Sequence, residues 1–475
     1  MVAHYSAQDV LSSTALLREL PPSMAVTALR SGETLDRDGL AARVASRHID
    51  LMTQMVPPAS RMVIGLTDPL ETLIALFAVW ASGHCAVLVN PGLSVDERDR
   101  VSAKVGAALW IDDRGDHRIG RVSGGAGKAA EAALILMTSG TTGDPKGVTH
   151  SLQTLKTRLA LNLAEIGAET LARTLCPLPL FFGHGLIGNC LTALFAGQHV
   201  FLLDAPGLQD FAGFGALIDQ HNITFLSSVP SMWRMVLRLS PAPSRAPVRV
   251  HVGSAPLTGE LWSEIEAWCG TDRVFNTYGM TETANWISGT TRPTAAPDGC
   301  VGRPWGGAFR IVIDGEMRTE GRGEVAILSP TLMLGLWEGE GYAPQGEDAF
   351  LTGDIGELDA DQGLRLVGRS KNEINRAGIK VLAEEVDMLL ERHPEVAEAC
   401  AFGIPDPVAG EAVGAVVRLR EGGAASEDDI RGWCRANARK DAVPQRLAIV
   451  EVIEKTDRGK LARIDIQKRM IERWC

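Results

Sequence analysis

The chain has 475 residues, room for about three domains at ~150 residues each. Its 45% hydrophobic and 22% charged residues suit a soluble globular enzyme, and its net charge of −11 argues against nonspecific binding to nucleic acid or anionic membrane. The eight cysteines form no Cys-x-x-Cys pair, His-Glu-x-x-His is absent, the apolar run Leu70–Ala81 is too short for a bilayer, and Met1–Ser6 opens no signal peptide. These features predict a cytoplasmic protein with reduced thiols, no zinc site and no membrane insertion.

Residues 1–60 mix short amphipathic pieces and carry no chemical signal. From Arg61 the pattern becomes regular. Met62–Leu66 reads as a strand, Asp68–Ser82 as a helix and Ala86–Asn90 as a strand stopped by Pro91-Gly92. Ser94–Val105 reads as a second helix, capped by Ser94 with Glu97 three residues on, and Ala108–Ile111 as a third strand. Strands alternating with helices of this length predict an α/β fold with doubly wound parallel sheets. Arg114–Lys128 is polar and glycine-rich and reads as a connecting loop.

The chain is organised around residues 134–150. Leu134–Met137 is a short apolar run, as in a buried strand. The next ten residues, Thr138, Ser139, Gly140, Thr141, Thr142, Gly143, Asp144, Pro145, Lys146 and Gly147, are turn formers and hydroxyl residues ending in a cation and a glycine. Glycines let backbone N–H groups approach a ligand, the hydroxyls add donors, and Lys146 adds a positive charge. This is chemistry for holding phosphate, although the spacing is not the Walker pattern.

Thr138-Ser-Gly-Thr-Thr-Gly-x-Pro-Lys-Gly147 resembles the phosphate loop of the adenylate-forming superfamily, which holds the acyl-CoA synthetases, the adenylation domains of peptide synthetases and firefly luciferase. The resemblance covers roughly the last 410 residues in the family's order, and is strongest to a bacterial-type acyl-CoA ligase. It implies a large N-terminal domain over 1–370, with doubly wound sheets and a small β-rich subdomain, and a small mobile α+β domain over 371–475.

Beyond the loop, Ser151 caps a predicted helix to about Ile166, and Leu175–Leu180 reads as a strand. Phe181-Phe182-Gly183-His184-Gly185 comes next. In the family an aromatic or histidine there stands at the entrance to the acyl pocket, while on its own residues His184 reads equally as a packed loop histidine. Thr224–Val229 and Val248–Gly253 read as strands, and by resemblance Gly253, Ser254, Ala255 and Pro256 present backbone to adenine. Val274-Phe275-Asn276-Thr277-Tyr278-Gly279-Met280-Thr281-Glu282 is a strand end followed by a ring, a glycine and a hydroxyl–carboxylate pair. A flat ring suits stacking on adenine, and a carboxylate suits Mg²⁺. The resemblance gives those roles to Tyr278 and Glu282, has Thr281 donate to the α-phosphate, and sets Asn276, Thr277, Gly279 and Met280 along the nucleotide.

Residues 300–370 read as short strands with glycine turns, ending at Thr352-Gly353-Asp354 and Gly368-Arg369-Ser370-Lys371. The family match implies ribose contacts for Asp354 and Arg369 and a hinge at Lys371. Further on it implies a helix over Ala383–Arg392, a coenzyme A tunnel passing Gly378, and a catalytic lysine, Lys460, in Thr456-Asp-Arg-Gly-Lys-Leu-Ala-Arg463. Asn375 departs from the basic residue many relatives carry four positions after the hinge lysine. The N-terminal region is short for the family, which implies a trimmed first subdomain.

Together these imply ATP, Mg²⁺ and coenzyme A as ligands and an ATP-dependent acid–CoA ligase reaction through an acyl-adenylate. A stand-alone adenylating enzyme that loads a separate carrier protein or an amine is the second reading. An inactive nucleotide-binding homologue is the third. A homodimer is the default assembly. Acetate-specific relatives place tryptophan after the adenine-stacking aromatic, and this chain has Gly279. With Phe182, His184, Val229 and Trp286 around it, Gly279 predicts a cavity for a medium-chain, alicyclic or aryl monocarboxylic acid.

Overall fold

The structure is a computed structural model that describes residues 20–119, 131–138, 146–203, 206–292, 298–338, 341–346, 348–376, 379–456 and 460–474. Two eight-stranded sheets form the frame. In the first, Val274–Met280, Arg249–Gly253, Phe225–Ser228, Arg173–Cys176, His199–Leu202 and Ala25–Ala28 run parallel side by side, with antiparallel strands Asn285–Thr291 and Thr34–Asp36 at its edges. In the second, Leu134–Thr138, Cys85–Leu88, Arg61–Gly65 and Ala107–Asp112 run parallel. It is extended on one side by antiparallel Lys146–His150, Gly335–Glu338 and Gly341–Pro344.

The largest core lies between these sheets. Beyond its first turn, where Glu71 pairs with Arg43, helix Pro69–Ala81 is apolar all round, and it is buried from Thr72 to Trp80, as a helix enclosed by two layers must be. Asp68 caps it by accepting from the N–H groups of Leu70 and Glu71. The Ser94/Glu97 capping box starts helix Val95–Val105, and Gly106, at φ 59°, ends it. Ser151 caps Leu152–Ile166. No helix among the described residues is long and apolar enough to cross a membrane.

Three local readings change. The region that carried no signal holds a 17-residue helix, Arg37–Thr53, capped by Asp36. The polar stretch read as a loop contains strand Gly115–Arg118, which pairs with Ala107–Asp112 because the chain doubles back at the sheet edge. The strand expected over Leu175–Leu180 stops at Cys176, since Pro177 has no N–H to continue the ladder. Beyond it lies a π-helix, His184–Leu191, a rare form often found at functional sites.

A six-stranded antiparallel sheet, with Ala308–Ile313, Gly321–Leu328, Phe350–Leu358 and Leu364–Arg369 at its centre, makes the β-rich unit. After the single turn Ser370–Asn372 a fourth sheet begins at Glu373, built on the long hairpin Val396–Asp406/Gly410–Leu419 and covered by Ala383–Glu391 and Glu427–Asn437.

Candidate active site

Three adjacent parallel strands of the first sheet end together, and their C-terminal ends carry Ser227, the turn Gly253–Pro256, and Thr277 to Met280. Ligands in parallel sheets bind at such ends. Gly253 must be glycine, because a Cβ would sit 2.5 Å from the Thr277 hydroxyl and 2.8 Å from its carbonyl. Ser254 adopts the left-handed region at φ 66°, turning its hydroxyl to His184 Nδ1 at 2.8 Å. The Nε2 atom of His184 meets Ser227 Oγ at 2.6 Å. Burial, and then the positive charge of Lys460, push the His184 imidazole down to about 3, so it is neutral.

Glu282 lies in the turn Thr281–Thr283. Three contacts pin the backbone of that turn. His150 Nε2 donates to the Thr281 carbonyl at 2.8 Å, the Met333 N–H to the Glu282 carbonyl at 2.8 Å, and Thr331 Oγ1 to the Thr283 carbonyl at 3.1 Å. Because a carbonyl only accepts, the His150 proton is on Nε2. The chain then leaves through two left-handed residues, Ala284 at φ 54° and Asn285 at φ 98°, a conformation that costs energy outside glycine.

Tyr278 is buried, its ring packed with Ile287, Val301 and Phe309. Its hydroxyl donates to Asp354 Oδ2 at 2.6 Å, and Arg369 Nε meets Oδ1 at 2.6 Å. Asp354 is itself buried, and each of its oxygens keeps a second lone pair for a hydroxyl donor. Lys146 Nζ faces Glu338 Oε2 at 2.6 Å across paired strands. Thr138 ends the strand beside it. Ser139, Gly140, Thr141, Thr142 and Gly143 lie outside the described residues, as does Gly378.

The residues expected around the acid separate. Trp286 is buried, with its ring edge-on to His184 at 5.4 Å and to His251 at 4.7 Å. Phe182 packs against Phe181, ring centroids 4.7 Å apart. Val229 instead joins the core beneath helix Pro230–Leu239, a cluster distinct from that of Trp286. A Cβ on Gly279 would run into the Asn285 carbonyl oxygen and lie 2.6 Å from Trp286 Cα, so Gly279 serves the close approach of strand Asn285–Thr291, while the residue itself stays partly exposed.

The AMP-binding enzyme family matches residues 51–337, and the AMP-binding enzyme C-terminal domain matches 385–460. The chain belongs to the AMP-binding enzyme family. Among curated relatives of this AMP-binding enzyme, an oxalate–CoA ligase of Arabidopsis thaliana is 34% identical over 72% of this chain and 68% of its own length. A feruloyl-CoA synthase of an Amycolatopsis species is 29% identical over 93% of this chain and 96% of its own. The solved structure of ATP-bound MatB from Rhodopseudomonas palustris shares the fold, with a TM-score of 0.82 at 20% identity over 97% of this chain and 99% of that one.

Sequence reasoning missed the supports of the site. Ser227 sits on a neighbouring strand, His150 on a strand of the second sheet and Thr331 in a turn, and only the fold brings them to it. One signal was available. Gly185 and Gly188 are three apart, and each is required by close packing: a Cβ on Gly185 would meet the Leu178 carbonyl at 2.7 Å, and one on Gly188 would meet the Trp286 ring at 2.9 Å.

Proposed function

We propose a specific form of the acid–CoA ligase activity that the family and the relatives give this chain. The carboxylate of a compact acid attacks the α-phosphorus of ATP; a P–O bond forms and pyrophosphate leaves with the electrons of the bond that breaks. The thiol of coenzyme A then attacks the acyl-adenylate carbonyl, forming the thioester, losing its proton to solvent and releasing AMP. The observation that carries this reading is the Tyr278–Asp354–Arg369 constellation beside the ends of the parallel strands, in a chain of the AMP-binding enzyme family.

No covalent enzyme intermediate is needed. Catalysis is positioning and charge stabilisation around the transferring phosphoryl group. Lys460 and Thr281 face the α-phosphate, and residues 138–147 with Lys146 hold the pyrophosphate end. Lys146 already pairs with a carboxylate, so an anion suits its place. Gly253–Pro256, Asn276, Thr277, Tyr278, Gly279 and Met280 flank the adenosine, and Asp354 with Arg369 takes the ribose. Glu282 is the residue that would hold Mg²⁺, which supplies neutralisation of the phosphate charge. Among the described residues no cluster of three or more His, Cys, Asp or Glu forms a metal cage. One carboxylate beside phosphates suits Mg²⁺, which keeps much of its water. The C-terminal unit begins at residue 371, with Lys371 as hinge.

Support for a compact acid comes from Trp286 lying edge-on to His184 and from strand Asn285–Thr291 occupying the side-chain direction of Gly279. ATP–pyrophosphate exchange with acetate, oxalate, benzoate and hexanoate tests this, followed by thioester formation with free coenzyme A. Exchange fastest with hexanoate overturns the compact acid. Exchange without thioester points instead to a carrier protein or amine as acceptor.

A further inference from the structure

We propose that Arg234 and Glu398 are positioning residues that set the Lys460 hairpin for acyl-adenylate formation. Arg234 stands on helix Pro230–Leu239, just after the Phe225–Ser228 strand whose Ser227 holds His184. Its guanidinium reaches across to the C-terminal unit, to Glu391 Oε2 at 3.1 Å and to Glu398 Oε1 at 3.5 Å. Glu398 lies on strand Val396–Asp406, and its side chain is only 7% exposed.

The same Glu398 oxygen also accepts from Lys455 Nζ at 2.6 Å, while Oε2 meets Arg418 Nε at 3.2 Å. Lys455 begins the hairpin that carries Lys460. Its backbone bridges to Leu461, the Thr456 N–H donates to the Lys460 carbonyl at 2.7 Å, and the Ala462 N–H donates to the Glu454 carbonyl at 3.0 Å. One buried carboxylate thus joins an arginine of the N-terminal unit to the root of the hairpin that carries Lys460. Burial alone would raise the Glu398 carboxyl, but Lys455, Arg234 and Arg418 together hold it below its usual range.

The neighbouring contacts across this face differ in kind. Arg238–Glu421 and Arg420–Glu260 are exposed pairs at 3.0 and 2.6 Å. Such pairs are screened by water and set little geometry. A carboxylate shared by three cations at low exposure loses much more when one partner is removed. The arrangement joins an arginine of the N-terminal unit to the hairpin that carries Lys460, and because the two-step reading gives Lys460 to adenylation it bears on the first half-reaction and not the second.

This inference rests on the two-step ligase reading. The test compares wild type, Arg234→Ala, Arg234→Lys and the exposed control Arg238→Ala in ATP–pyrophosphate exchange and in thioester formation from supplied acyl-adenylate. Arg234→Ala is expected to lose at least about tenfold in exchange, to stay within about twofold in thioester formation, and to keep its melting temperature. Arg234→Lys should recover part of the exchange, and Arg238→Ala should match wild type. Equal losses in both half-reactions, an equal loss in Arg238→Ala, or unchanged exchange in Arg234→Ala each overturns the proposal while the ligase reading stands. Wild type without exchange on any acid overturns that reading, and this inference with it.

Discussion

Tyr278 and Asp354 stand 76 positions apart and share a hydrogen bond of 2.6 Å, the tyrosine donating from a strand of one sheet to a carboxylate on a strand of another. The bond fixes which way Asp354 presents its remaining lone pairs. Burial and the neighbouring Asp354 push the Tyr278 hydroxyl well above its ordinary value, so it remains a donor throughout the physiological range.

Tyr278→Phe should therefore weaken nucleotide binding more than chemistry. A hydrogen bond to a charged group is worth about 1.5 kcal/mol or more, so the KM for ATP should rise about tenfold with kcat little changed. Steady-state kinetics at saturating acid checks this. A fall in kcat at unchanged KM would remove Asp354 from the ribose role.

Lys460→Ala should abolish adenylation and spare thioester formation from supplied acyl-adenylate. Removing a charge that acts on the transition state costs on the order of 3 kcal/mol, more than a hundredfold. The measurement is ATP–pyrophosphate exchange beside single-turnover thioester formation. Loss of both would mark a folding defect.

The motifs behind the proposed site were easier to read in the sequence than its walls. Thr138 to Gly147 and Tyr278 to Glu282 are contiguous, so the roles proposed for them rest on a local pattern. Helices with strong caps, such as Val95–Val105 and Leu152–Ile166, were legible for the same reason. Arg37–Thr53 was not, because its buried residues, such as Leu40, Val44 and Leu51, are interleaved with arginines that dilute the apolar stripe. The acyl wall was the least legible part. Gly279 offers no side chain, and only the register that sets it opposite Trp286 shows that the neighbouring strand occupies its side-chain direction.

That register yields a prediction about stability. Gly279→Ala should destabilise the protein by at least about 2 kcal/mol, because the new methyl group meets backbone and not a movable side chain. Denaturant midpoints check this. A stable variant with an altered acid preference would restore the cavity expected from the sequence.

Acid should weaken the fold through its buried histidines. Burial pushes His150 down to about 4 and, with Lys460, His184 to about 3; it holds His251 well below its ordinary value. The folded protein refuses protons that the unfolded chain takes up near pH 6.5, so this contribution to stability is lost as pH falls below 6.5. Each histidine accounts for about 1 kcal/mol between pH 6.5 and 5.5. Glu391, raised to about 7 chiefly by burial, works in the opposite sense over that interval. Chemical denaturation of wild type and His150→Gln isolates one histidine, and the variant should show the shallower pH dependence.

Beyond its first turn, helix Pro69–Ala81 carries only apolar side chains, and the cluster that encloses it is completed by Leu186, Trp286 and Trp305. A ribosome extends a chain by ~5–20 residues per second, so the helix is made roughly ten seconds or longer before those partners exist. During that interval it is a sticky segment on a nascent chain, a client for chaperones. Substitutions that loosen the late-made walls around it will lower the yield of folded protein in the cell before they touch the chemistry.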